Sequence, residues 1–179
     1  AVDYAIGASV PFQLTATLPS NYDSYKEYHL SFNDTLSAGL TYNKDAKVYV
    51  INSNNEQEVT SKFTIDSNGA SYTINDLKTV TTDDKGQAVT ITKDSKIVVR
   101  YTAKLNDQAV IGSTGNSNTA SLIYSNDPNS TGGGSKGETP KDKVVVFTYQ
   151  VVINKVDQDK QTPLKGAGFT LPAFCCWRK

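Results

Sequence analysis

The chain has 179 residues, and its 18 Lys and Arg are balanced by 18 Asp and Glu, giving a formal charge of zero. That length suits one full domain with a sizeable core and a fragment of a second, while a nucleic-acid partner would call for a basic excess that is missing. One histidine and two adjacent cysteines (Cys175 and Cys176) supply neither a Cys/His metal site nor a disulfide framework, and no apolar run approaches the ~20 residues of a membrane span.

In chain order, "VPFQLTATL" alternates strictly, with Val10, Phe12, Leu14, Ala16 and Leu18 on one side. "YHLSFND" puts Tyr28, Leu30, Phe32 and Asp34 on one side and His29, Ser31 and Asn33 on the other. "NDTLSAGL" has the look of a single helical turn closed by Gly39. "KVYVINS", "KFTIDS" and "SYTINDL" are short β-like runs separated by "NNEQ" and "SNGA" turns. "KIVVRYTAKL" aligns Ile97, Val99, Tyr101, Ala103 and Leu105, and "NTASLIYSN" aligns Ala120, Leu122, Tyr124 and Asn126. "SNDPNSTGGGSKGETPKDK" is rich in Gly, Ser, Pro and Lys and reads as an exposed loop. "KVVVFTYQVVINKVD" is the longest β-branched run. No stretch keeps a sustained helical period, and many short strands at regular spacing predict an all-β fold, an antiparallel β-sandwich. Residues 1–150 form the main domain, 151–171 begin another, and 172–179 ("PAFCCWRK" with Leu171 before it) break the pattern and read as a non-native tail. "AVDYAIGASV" starts without methionine, like a mature or cut terminus.

Catalysis on a diffusible substrate has little to stand on, so the chain is not read as an enzyme. His29 falls on the polar side of its strand, and there is no G-x-S-x-G elbow. "DSNGAS" and "DDKGQ" lack the alternating acids and closing Glu of a calcium loop and read as turns. No cofactor is called for.

Two polar residues break the apolar phase. Asp34 shares a side with Leu30 and Phe32, and Asn126 shares one with Leu122 and Tyr124. Each is either a strand-end polar residue or a buried group, and a buried acid or amide must be paired or hydrogen-bonded. A buried acid beside a buried amide comprises two parts of an intramolecular isopeptide site. In that chemistry a neutral lysine amine attacks the asparagine carbonyl carbon while a protonated carboxyl polarises it and ammonia leaves.

With these residues in view, the sequence resembles the middle domain of Gram-positive sortase-assembled backbone pilins, the fimbrial isopeptide-forming type. The segments responsible are "VDYAIGASVPFQLTATLP", "YKEYHLSFNDTLSAGLTY", "VVRYTAKLNDQAVIGSTGNSNTASLIYSNDPN" and "VVVFTYQVVINKVDQDKQTPLKGAGFTL", together spanning positions 2 to 171. The resemblance implies an immunoglobulin-like antiparallel β-sandwich of the collagen-adhesin A type over 1–150, followed by the start of a B-type domain over 151–171. It also implies that Asp34 is the acid, Asn126 the acceptor and Lys155 a candidate donor for the following domain. No lysine precedes Lys26, and Lys26 lies in the polar "YDSYKEY", so the donor for Asn126 is expected upstream of Ala1. The implied role is structural: part of an extracellular, cell-wall-anchored pilus shaft, with other pilin subunits and an assembling sortase as partners. The rival reading is an adhesin or carbohydrate-binding sandwich meeting host extracellular ligands, for which ten tyrosines would provide contact surface.

Overall fold

The computed structural model describes residues 2–150. Twelve strands build it: β1 (Val2–Asp3), β2 (Ser9–Thr17), β3 (Leu30–Leu36), β4 (Leu40–Tyr42), β5 (Lys47–Asn52), β6 (Asn55–Glu58), β7 (Thr64–Ile65), β8 (Ser71–Ile74), β9 (Lys96–Leu105), β10 (Asn116–Ser125), β11 (Lys136–Glu138) and β12 (Asp142–Phe147). They form two sheets. One has the order β1-β12-β10-β3-β8-β7, with β11 also on β10; the other has β2-β9-β5-β6, with β4 also on β9. Every pairing is antiparallel except β1 with β12.

The alternation in the sequence becomes the two inner faces. Ile97, Val99, Tyr101, Ala103 and Leu105 of β9 are all buried, and they face Leu30 and Phe32 of β3 and Tyr72 and Ile74 of β8. Val10, Phe12, Ala16 and Leu18 join them from β2 and its end. Pro11 is tolerated because β2 is the edge of its sheet, where a missing N–H breaks no ladder. Tight turns set the register. Ser53 takes a positive φ of 54° between β5 and β6, and Gly69 takes 73° between β7 and β8.

Local readings fail where pairing partners decide. The expected helical turn in "NDTLSAGL" is absent: β3 runs on to Leu36, and a tight turn follows in which Leu40 N–H donates to the Ser37 carbonyl at 3.0 Å. "KFTIDS" contributes two strand residues only, because Thr60–Lys62 form a 3-10 turn. The glycine-rich loop holds a strand after all, β11, which β10 supplies with a partner through Ile123 to Ser125.

Candidate functional site

β3 carries Leu30, Phe32 and Asp34 into the core in strict alternation, so the acid is buried, with 5% of its surface exposed. Tyr101 reaches it from β9 in the opposite sheet, and its hydroxyl donates to Asp34 Oδ2. β10 lies beside β3, with Ala120 opposite Asp34 and Asn118 opposite Leu36. Asn118 faces inward, is 4% exposed, and donates from Nδ2 to the Tyr101 hydroxyl oxygen at 2.6 Å. An acid, a phenol and a carboxamide from three strands thus form one hydrogen-bonded line between the sheets.

The phenol is held tightly. Phe12 stacks on the Tyr101 ring with centroids 5.4 Å apart, Tyr72 stacks at 5.9 Å, and Tyr42 meets it edge-on at 5.6 Å. Burial raises the Asp34 pKa above the ordinary carboxylate value, against the opposing pull of the Tyr101 hydroxyl and then of the nearby Asn118 and Thr35 N–H groups. Burial, and then the neighbouring Asp34, push the Tyr101 phenol far above its ordinary range, so it stays protonated. Asp34 Oδ1 and Asn118 Oδ1 are buried without a protein hydrogen-bond partner. A proton on Asp34 gives that carboxyl a donor to offer, and the Asn118 carbonyl oxygen is an acceptor lacking one.

Two openings approach the line. Asp34 borders a cavity of about 780 Å³ with Leu40, Tyr42, Lys44 and Gly69. Asn118 borders a slot of about 570 Å³ between β2 and the β10–β12 pair, lined also by Leu14, Phe32 and Val144. Val144 is in phase with the buried Val146 yet 55% exposed, because β1 flanks β12 only at Val146 and Phe147.

Asn126, the amide expected beside Asp34, is not there. It lies one residue past β10, is exposed, and donates its backbone N–H to the Ser135 carbonyl at 3.2 Å. It is six residues beyond Ala120, the partner of Asp34, which is roughly 20 Å along a strand. The amide that the structure brings to Asp34 is Asn118, eight residues earlier in the same strand and the same phase. Asn116 shares that phase too, but its side chain is committed: it accepts from the Val110 N–H at 2.8 Å and donates to the Val110 carbonyl at 3.1 Å. Lys155, the expected donor of a following domain, lies outside the described residues, as does the expected segment 151–171.

The remaining polar motifs settle simply. Asp66 accepts the Asn68 and Ala70 N–H groups, and Asp83 accepts those of Lys85 and Gln87, so both calcium-like stretches are turns. His29 is half-buried, and burial followed by Lys136 lowers its pKa. Tyr22, Tyr25, Tyr28, Tyr72 and Tyr101 are core residues, which withdraws half of the tyrosines from any contact surface.

Known proteins share this arrangement of strands. The Trypsin-resistant surface T6 protein of Streptococcus pyogenes serotype M6 is 26% identical over 92% of this chain and 32% of its own length. The solved T6 backbone pilin of that organism superposes with a TM-score of 0.56 at 22% identity, covering 89% of this chain and 35% of that one. A 35 kDa C-terminal fragment of the major pilin GBS80 of Streptococcus agalactiae gives 0.60 at 22% identity, over 91% and 56%. The chain thus spans about a third of the curated relative. Residues 6–128 match the model of a family described as Gram-positive pilin backbone subunit 2, Cna-B-like domain, a label that differs from the A-type expected for residues 1–150. That match takes in the sandwich from the approach to β2 through the whole of β10, and the chain belongs to this family of Gram-positive pilin backbone domains.

Proposed function

We propose that this chain is a load-bearing section of a backbone pilin, assembled outside the cell into a pilus shaft, and that Asp34 and Asn118 are two parts of an intramolecular isopeptide site. One observation carries the site reading: the buried line Asp34–Tyr101–Asn118, with a carboxyl oxygen and a carboxamide oxygen left unpartnered beside it. The third part is a lysine on the upstream continuation of β1. Val2 is level with Val146 in the parallel β1–β12 ladder. Two residues further back the ladder is level with Val144, which itself pairs with Asn118. The open slot beside Val144 is where that continuation would lie and where its lysine would approach the Asn118 carbonyl carbon. Lys141 and Lys143 also border the slot, but both are exposed.

The reaction balances without a cofactor. The neutral lysine amine bonds to Asn118 Cγ, the Cγ–Nδ2 bond breaks, and the amide nitrogen leaves as ammonia with the proton given up by the amine. Apolar surroundings keep the amine neutral and the Asp34 carboxyl protonated, which are the forms the reaction needs. The product is a covalent tie between the edge and the middle of one sheet. It restricts the unfolded chain as a disulfide does, yet is indifferent to reductants. Other pilin subunits, and a sortase during assembly, are the partners this role requires.

The test is intact mass on the chain extended upstream of Ala1 through the nearest lysine. The expected result is loss of one ammonia, abolished by Asn118→Ala and by Asp34→Ala and retained in Asn126→Ala. Peptide mapping should join Asn118 to the upstream lysine rather than to Lys141 or Lys143. Full mass in well-folded protein would refute the site.

A further inference from the structure

Resting on the reading of Asp34 and Asn118 as an isopeptide pair, we propose that Tyr101 is a third catalytic group, the proton relay that delivers the departing ammonia. Its hydroxyl touches both ends of the required transfer, donating to Asp34 Oδ2 and accepting from Asn118 Nδ2 at 2.6 Å. Asn118 Nδ2 is the atom that must leave, and an amide nitrogen leaves only when protonated. While Asn118 is a planar amide, that nitrogen has no free lone pair and donates to Tyr101. Once the lysine has added to Cγ, the nitrogen becomes tetrahedral and basic, and the same contact reverses.

The proton path closes on itself. The relay needs both contacts turned round: the neutral Asp34 presents its proton on Oδ2 to the Tyr101 oxygen while the Tyr101 hydroxyl turns to Nδ2, and Oδ2–H then protonates the Tyr101 oxygen as the Tyr101 proton passes to Nδ2. Asp34 Oδ1 then takes the proton shed by the attacking amine, restoring the neutral acid. No oxidant or outside base is consumed. Oδ1 is free for this step because it has no protein partner. The relay is also held in place: Phe12 and Tyr72 stack on the ring and Tyr42 meets its edge, with Tyr101 itself buried. Other inward residues of β9 are aliphatic, so a hydroxyl here answers no packing need that phenylalanine would not meet.

The experiment follows ammonia loss by intact mass over time in the upstream-extended chain, refolded from denaturant. Tyr101→Phe keeps the aromatic stack and should slow bond formation by about a hundredfold, the usual worth of a positioned acid–base group. Tyr22→Phe removes a buried, unpartnered hydroxyl that hydrogen-bonds to none of Asp34, Tyr101 and Asn118, and should react at the unmodified rate. A fluorinated tyrosine at position 101 keeps ring, hydroxyl and contacts but makes the phenol a stronger acid. It should change the rate severalfold, which a purely structural role would not do. An unmodified rate in Tyr101→Phe, or in the fluorinated protein, overturns the relay while leaving the Asp34–Asn118 site standing. Absence of ammonia loss in the unmodified chain overturns the site and the relay together.

Discussion

Asp34→Asn, made in the 179-residue chain, should stabilise the fold at neutral pH and do nothing at about pH 4. Asparagine has the shape of the protonated acid. Its carbonyl can accept from Tyr101, and its amide can donate to the buried Asn118 oxygen that has no partner. The sign follows from the proton balance. Burial raises the Asp34 pKa in the folded chain above its ordinary 3.8. As pH climbs past that ordinary value, the unfolded chain releases the proton while the folded chain keeps it. Wild-type stability therefore falls by about 1.4 kcal/mol per pH unit until the folded group also ionises, and is level beyond that point. The variant has no such slope. Its advantage should open from about pH 4 upward and level off once the folded Asp34 also ionises. Urea midpoints for both proteins across that range give the difference curve, in which every other titrating group cancels. A flat difference, or a wild type that is the more stable at neutral pH, would mean that Asp34 is solvated or fully paired, and that it cannot serve as the neutral acid of an amide-forming site.

Other substitutions test the packing around the site. Phe32→Ala empties a 1%-exposed position next to Asp34 and should cost about 3–5 kcal/mol in urea unfolding. At Gly39, an added Cβ would lie 2.1 Å from Asn116 Oδ1 and 2.8 Å from the Ala109 Cα. Gly39→Ala should therefore dislodge the Asn116 side chain from both Val110 groups, for about 2–4 kcal/mol, with Asn116→Ala giving a comparable loss. Asn126→Ala should be silent, within about 0.5 kcal/mol by thermal melting, since its side chain is exposed. A large effect there would show that the end of β10 is buried by something the isolated sandwich lacks.

Strand phase made the fold legible and made the site half legible. Alternation identified the inner faces of β2, β3 and β9, because side-chain direction along a strand is a local property. It likewise put Asp34 in phase with Leu30 and Phe32, while leaving open whether the strand had already ended there. On β10 it could say only that Asn116, Asn118, Ala120, Leu122, Tyr124 and Asn126 share a side. Which of the three asparagines comes level with Asp34 depends on the stagger of β10 against β3, and that pairing of Ala120 with Asp34 joins residues 86 positions apart. The familiar look of "YSNDP" drew attention to Asn126, at the end that proves exposed. Carrying the same phase two residues back from Ala120 would have reached Asn118. Tyr101 was legible as a core residue and illegible as a site residue, since its role exists only once two sheets face each other.

Stability alone does not account for this core. Among the described residues, five buried side-chain oxygens have no protein partner, and two of them, Asp34 Oδ1 and Asn118 Oδ1, sit in one cluster. Each such group destabilises the fold by about 1–3 kcal/mol relative to an apolar replacement, and a carboxyl whose charged form is disfavoured by burial adds to that as pH rises above the ordinary carboxylate range. A leucine, a valine and a phenylalanine at positions 34, 118 and 101 would avoid the penalty and keep the stacking. A sandwich that places an acid, a phenol and a carboxamide in register from three strands has accepted a weaker non-covalent core. The compensation that fits is the covalent one proposed above: an amine replacing ammonia at Asn118 would return the lost stability as a bond that thermal fluctuation and tension along the strands do not reverse.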